Sequence, residues 1–147
     1  MVISLNLVIL GILISIIYYE ITNISPGGIV VPGLLAMYIS QPIRIIYTIV
    51  VSIFSYYIVK LLSKHFIIFG KRRFVLLIIF SITISFLLEL IISGMSVNMI
   101  KVSLIGYTIS GLIANDITKQ GIKRTIPSLV IVMGIVELIA LIINQIN

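Results

Sequence analysis

The sequence predicts an all-α polytopic membrane protein, and three observations lead to this fold class: its composition, its long apolar segments and the distribution of its basic residues. Of its 147 residues, 61% are hydrophobic and 10% are charged, whereas soluble domains have roughly 45 to 50% apolar and about 25% charged residues. A water-soluble fold of this length could not bury so much apolar surface. We therefore expect residues 1–147 to form a single transmembrane domain.

Four apolar segments have about the length of a transmembrane helix, which needs about 20 residues to cross a hydrocarbon core of roughly 30 Å. They are residues 2–19, 43–62, 74–93 and 126–143. The first has no basic stretch before it and ends at Tyr18-Tyr19-Glu20 without a small-residue cleavage pattern. We therefore predict four long helices, the first of them a retained helix and not a signal peptide.

Two shorter apolar segments are interrupted by helix-breaking residues. Residues 25–39 contain two prolines and three glycines, and residues 105–117 contain two glycines. The two segments align at one constant offset, which pairs Gly28 with Gly106, Gly33 with Gly111, Leu34 with Leu112, Ala36 with Ala114 and Ile39 with Ile117. The alignment predicts two repeated halves, residues 1–62 and 74–147, each built of a long helix, a broken short segment and a long helix.

The basic residues predict how the segments are threaded. Cytoplasmic loops of membrane proteins carry an excess of Lys and Arg. If all six segments cross, eight of the ten basic residues lie on one side: Lys60, Lys64, Lys71, Arg72, Arg73, Lys119, Lys123 and Arg124. Only Arg44 and Lys101 then lie outside, whereas re-entrant short segments would give five on each side. We therefore predict six crossings, in which the two halves have inverted topology.

The broken segments point to a function within the membrane. Inverted repeats with discontinuous helices recur in proteins that hold or move a substrate near the bilayer midplane. A break exposes backbone N–H and C=O groups that lipid cannot satisfy, so they must face protein, water or a ligand. The alternative is that the glycines and prolines only permit close packing and kinks. The sequence leaves both interpretations open.

Several classes of chemistry are disfavoured by what the sequence lacks. It has no cysteine and a single histidine, His65, so we expect no metal site and no cofactor. It has no Gly-x-x-x-x-Gly-Lys-Ser/Thr phosphate loop, no Gly-x-Gly-x-x-Gly and no His-Glu-x-x-His. The net charge of +6 indicates membrane topology and anionic partners, not nucleic acid. We expect the chain to have no catalytic activity alone.

Three motifs in this order resemble the CapC/PgsC family. They are residues 26–36 (PGGIVVPGLLA), residues 70–74 (GKRRF), and residues 111–115 (GLIAN) followed by 119–121 (KQG). The resemblance covers nearly the whole chain. Ser110 stands where the second broken segment of the family usually has proline, so the glycines carry the resemblance more strongly than the prolines.

The resemblance implies a function that composition and spacing do not show. The family comprises small multi-pass subunits of the poly-γ-glutamate capsule synthase in the bacterial inner (plasma) membrane. Its implied partners are a cytoplasmic ATP-dependent amide ligase resembling the Mur ligases, a further membrane-anchored subunit and the γ-linked glutamate polymer that they make and export. The alternative is a stand-alone small secondary transporter or channel built on the same repeat.

Candidate site residues fall into three groups. The predicted substrate or polymer path consists of Gly28, Pro32, Gly33, Gly106, Gly111, Asn115, Lys119, Gln120, Lys123 and Arg124. The predicted dock for the ligase is Lys71, Arg72 and Arg73, for which contact with anionic lipid is the alternative. Glu89 and Glu137 lie within apolar segments, where a charged side chain costs about 2.5 to 3.5 kcal/mol, so we expect both to face the helix bundle or to be protonated.

Overall fold

The computed structural model describes residues 2–67, 70–94 and 104–146. These ranges form six helices and no strand. The helices are α1 (Val2–Thr22), α2 (Val31–Ala36), α3 (Pro42–Leu62), α4 (Lys71–Gly94), α5 (Leu104–Gln120) and α6 (Ile122–Ile146). The predicted all-α fold class is confirmed.

Three helices contain stretches long and apolar enough to cross a membrane: Pro42–Leu62, Lys71–Ile91 and Ile122–Ile143. Helix α1 contributes a shorter apolar stretch, Leu7–Thr22. Large apolar side chains on these helices point away from the protein, among them Ile46, Phe54 and Leu138, each more than half exposed. Such a surface suits contact with lipid and not with water.

The break predicted in residues 25–39 is present between α1 and α2. Helix α1 ends at a left-handed Asn23 (φ 54°), whose N–H donates to the carbonyl of Tyr19 at 2.8 Å. Pro26 follows, and then Gly27 and Gly28 at φ 83° and 112°, a backbone region that glycine adopts without strain. The helix resumes at Val31, with Pro32 in the first turn of α2, where its missing N–H does no harm.

The interruption predicted in residues 105–117 is wrong, because these residues lie within the continuous, 17-residue helix α5. This segment contains no proline. A glycine in a helix interior costs only about 1 kcal/mol relative to alanine, which packing can offset. Ser110 donates its hydroxyl to the carbonyl of Tyr107 at 2.8 Å and stays within the helix.

The helices pack in pairs that correspond between the two halves. Within each half the first helix contacts the second, α1 with α2 and α4 with α5. Between the halves, α3 contacts α5 and α4, just as α6 contacts α2 and α1. The main core cluster joins α2, α5 and α6 through Val31, Ile113 and Leu129. Helix α5 also contacts α6, and the repeat and its inverted relation stay predictions.

The turn between α3 and α4 and the turn between α5 and α6 lie at the same end of the helix bundle. Val59 near the end of α3, Leu77 near the start of α4 and Ala114 in the second half of α5 form one buried cluster. The end that contains both turns, here called the basic end, holds Lys60, Lys64, Lys71, Arg72, Arg73, Lys119, Lys123 and Arg124. Arg44 lies in the first turn of α3, at the opposite end, and Lys101 lies outside the described residues.

Candidate functional site

Ser25, in the loop between α1 and α2, is bound to the C-terminal part of α5 by side-chain hydrogen bonds. The Gln120 carboxamide oxygen accepts the Ser25 N–H at 3.1 Å, and its Nε2 donates to the Ser25 carbonyl. The Ser25 hydroxyl donates to Oδ2 of Asp116. One amide side chain therefore satisfies both backbone polar groups of Ser25, while Asp116 holds its side chain.

Helix α6 completes this polar cluster. Gln120 Nε2 also lies 3.2 Å from the Thr125 hydroxyl. The Ser128 hydroxyl lies 3.5 Å from the Ser25 carbonyl and donates to the Thr125 carbonyl at 2.9 Å. Asp116, Thr125 and Ser128 are buried. We name Ser25, Asp116, Gln120, Thr125 and Ser128 the Ser25 cluster; it fixes the broken segment against two helices of the second half.

A cavity of about 540 Å³ opens beside the Ser25 cluster, at the basic end. This volume is within the range of small-molecule sites, about 300 to 1,000 Å³. Its lining combines the end of α1, the loop before α2 and the end of α5: Tyr19, Asn23, Ser25, Gly28, Ile29, Asp116, Lys119 and Gln120. The cavity therefore lies between the two halves of the sequence.

The wall and the rim of the cavity differ in charge. The Asp116 side chain is 10% exposed, whereas the Lys119 side chain is 62% exposed with its Nζ 3.9 Å from Oδ1 of Asp116. Because Lys119 is well exposed and the distance is long, this ion pair contributes little attraction. Helices α1 and α5 both reach the cavity with their C-terminal ends, which carry the negative ends of the helix dipoles. The inner wall is thus negative, and Lys119 at its edge is positive.

Only some of the residues predicted for the substrate path line the cavity. Gly28, Lys119 and Gln120 line the cavity. Lys123 and Arg124 are exposed in the first turn of α6, close along the chain to Gln120. Asn115 is half-buried in α5 and does not line the cavity.

Gly33 lies at a contact between helix backbones. A Cβ atom added to Gly33 would lie 2.9 Å from the Val8 carbonyl oxygen of α1, and one added to Gly11 would lie 2.2 Å from the Cα of Gly33. Pro32 beside it is buried. Helices α1 and α2 approach this closely because both contacting residues lack a side chain.

Gly111 occupies the corresponding contact in the second half. A Cβ atom there would lie 2.9 Å from the Cα of Ile78 and 2.8 Å from the Ser81 hydroxyl, both on α4. Neither Gly33 nor Gly111 lines the cavity, so their surroundings favour the packing alternative. Gly106 lies in the first turn of α5.

The two acids predicted to lie within the membrane differ in their partners. Glu89, half-buried on α4, accepts a hydrogen bond from the Tyr107 hydroxyl of α5. Glu137, half-buried on α6, has no hydrogen bond or ion pair with any residue in the described ranges. Neither residue lines the cavity.

The predicted docking residues begin α4. Lys71 and Arg72 are exposed, and Arg73 is half-buried. The turn before them exposes Phe66 by 64% and Ile67 by 86%. Among the described residues, no group of three or more acidic or histidine side chains is placed to hold a metal ion.

Sequence reasoning assigned no role to Ser25, Thr125 or Ser128. A signal for Ser25 was present, because it directly precedes the Pro26-Gly27-Gly28 motif, and serine before such a turn commonly binds nearby backbone groups. Its hydroxyl does accept the Gly28 N–H at 3.2 Å. Thr125 and Ser128 gave no comparable signal.

Comparison with known proteins agrees with the three motifs. Residues 10–126 match the family described as Capsule biosynthesis CapC. The "PGA biosynthesis protein CapC" of Bacillus subtilis (strain 168) is 38% identical over 127 residues, 86% of this chain and 85% of the relative. The "Capsule biosynthesis protein CapC" of Bacillus anthracis is 35% identical over the same shares of both chains. No solved structure matches. The chain therefore belongs to the CapC family of capsule biosynthesis proteins.

Proposed function

We propose that this chain is a multi-pass subunit of a poly-γ-glutamate capsule synthase in the bacterial inner membrane, with its basic end in the cytoplasm. Its family and the names of two relatives support a role in capsule biosynthesis. The long apolar helices and the concentration of basic residues at one end support the membrane placement. In this proposal all six segments cross, so the two halves are inverted.

The observation that carries the proposal is the cavity at the basic end. Poly-γ-glutamate bears one α-carboxylate per residue and is strongly anionic near neutral pH. Lys119 at the cavity edge, with the exposed Lys123 and Arg124 in the next turn, gives the positive field that draws such a polymer to an opening. We assign the cavity as the place where the growing polymer enters this subunit.

Anchoring of the ligase is assigned to the turn between α3 and α4. Arginine and aromatic residues are enriched at protein interfaces. Phe66, which follows α3, is exposed, and so are Lys71 and Arg72, which begin α4. The proposed partner is a cytoplasmic ATP-dependent ligase with an acidic face, working with a further membrane-anchored subunit. The ATP chemistry takes place on the ligase, so this chain contributes position and passage and not catalysis.

Two triple variants separate polymer entry from docking. Replacing Lys119, Lys123 and Arg124 by Gln should lower the polymer released per cell roughly tenfold, which corresponds to about 1.4 kcal/mol of lost attraction, while the ligase still co-purifies. Replacing Lys71, Arg72 and Arg73 by Gln should abolish co-purification of the ligase as well. Polymer outside the cell and ligase bound to the purified subunit are measured separately, both relative to membrane abundance.

Arg44→Gln at the opposite end is the matched control and should change neither quantity. Unchanged output from the first triple variant would overturn polymer entry at the cavity. Retained ligase in the second would remove the turn between α3 and α4 as the dock. If the wild-type protein captures no ligase from native membranes, the stand-alone transporter becomes the better account.

A further inference from the structure

We infer that the inner wall of the cavity binds the free α-amino group of a γ-glutamyl ligand, with Asp116 as the carboxylate that receives it. This inference rests on the proposed function for the identity of the polymer. It assigns a specific binding role to the wall, beyond the general attraction of carboxylates by the rim.

The state of Asp116 is the first argument. Its side chain is 10% exposed, and Oδ2 accepts the Ser25 hydroxyl. Within the described ranges Oδ1 accepts no hydrogen bond, and its nearest cation is the well-exposed Lys119 at 3.9 Å. An ionised carboxylate offers about four acceptor positions, and a buried one is stable only when paired with charge and hydrogen-bond donors. Asp116 lines the cavity, so Oδ1 is open to a hydrogen-bond donor on a ligand in the cavity.

The helix ends are the second argument. Asp116 lies four residues before Gln120, the last residue of α5, near the helix end whose dipole favours a cation over a negative side chain. The end of α1 reaches the same cavity with Tyr19 and Asn23. The Tyr19 carbonyl already accepts the Asn23 N–H at 2.8 Å, so what α1 contributes to the cavity is the negative end of its dipole. Two helix C-termini and a buried carboxylate around one cavity make a wall suited to an ammonium group.

The class of ligand follows from the negative charge of the inner wall together with the positive charge of Lys119 at the rim. An ammonium at Asp116 and a carboxylate at the rim lysine are the two charged groups of an α-amino acid. In a γ-linked glutamate chain every α-amino group is consumed in an amide bond except that of the amino-terminal residue. Only the amino-terminal residue of the polymer therefore has both a free α-amino group and a free α-carboxylate. Free glutamate carries the same two groups. Asn23 adds a carboxamide to the lining, and no residue in the described ranges hydrogen-bonds its side chain.

The test uses the purified full-length protein in detergent and three probes: γ-linked triglutamate, its N-acetyl derivative and free glutamate. Isothermal titration calorimetry should show the free-amine trimer binding roughly ten- to a hundredfold more tightly than the acetylated one, the usual effect of one charge-assisted hydrogen bond. Asp116→Asn should bind both trimers with the weaker affinity. Glu137→Gln, at a half-buried acid without a partner in the described ranges, should keep the wild-type preference.

Each outcome decides something. Equal affinity of the wild type for both trimers overturns the amine subsite, while polymer entry survives if the Lys119, Lys123 and Arg124 variant still weakens both. Absence of binding by either trimer overturns the subsite and contradicts polymer entry. Free glutamate as tight as the trimer would support the subsite and assign it to the monomer; a markedly weaker glutamate would assign it to the chain end. The wild-type comparison is decisive even if Asp116→Asn fails to fold.

Discussion

Gly11→Ala is expected to lower the free energy of unfolding by about 1 to 3 kcal/mol, the usual range for overpacking. It should also reduce the amount of protein in the membrane. The added Cβ would lie 2.2 Å from the Cα and 2.6 Å from the backbone N of Gly33. Both atoms belong to backbone and cannot rotate away, so α1 and α2 must separate. The change is read as protein abundance in membranes and as the melting temperature in detergent.

Gly134→Ala is the matched control for this variant. Gly134 also lies inside a long helix, but nothing lies within 4 Å of a Cβ added there. Alanine is the better helix former by about 1 kcal/mol, so this variant should be neutral or slightly stabilising. If Gly11→Ala kept normal abundance and melting temperature, the close contact between α1 and α2 would be wrong. If it kept both but abolished polymer output, the glycines would have to serve the polymer path.

Gln120→Ala is expected to release the loop between α1 and α2 and to abolish polymer output. The Gln120 amide satisfies both the N–H and the carbonyl of Ser25. Ser25 is half-buried, so leaving these groups without a partner costs at most about 1 to 3 kcal/mol, and only Ser128, at 3.5 Å, remains near that carbonyl. The cavity should then lose its shape. Hydrogen–deuterium exchange of residues 23–30 is the direct readout.

The control for Gln120→Ala is Gln41→Ala. Gln41 precedes α3, is exposed and makes no side-chain cap hydrogen bond. Its replacement should alter neither the exchange of residues 23–30 nor polymer output. Unchanged exchange in Gln120→Ala would show that the Ser25 cluster does not hold this loop.

The long helices could be predicted because apolar length dominates their formation in a bilayer. The predicted segment 43–62 differs from α3, Pro42–Leu62, by one residue. The break before α2 was also predictable, since Pro26 and two glycines with positive φ leave the backbone little alternative. The break predicted in residues 105–117 was wrong because Gly106 and Gly111 were treated as helix breakers, although this segment has no proline. Glycine weakens a helix, but tertiary packing decides whether the helix forms.

The candidate site was only partly predictable. Gly28, Lys119 and Gln120 were identified because they belong to motifs. The hydrogen bond between Ser25 and Asp116 joins residues 91 positions apart, and no local pattern states which loop will meet which helix end. For the same reason Gly33 was predicted to matter while its neighbour Gly11 was not. Sequence identifies unusual residues, but their partners depend on how the helices associate.

The measurement that tests the account most directly is the side of the membrane on which the cavity opens. The chain has no cysteine, so single cysteines can be placed at Asn23, Arg44, Lys71 and Lys123. In intact cells a membrane-impermeant thiol reagent should label position 44 alone, and the other three positions should react only after the membrane is permeabilised. Labelling of position 23 or 123 in intact cells would place the cavity outside the cytoplasm and contradict its role in receiving polymer from a cytoplasmic ligase.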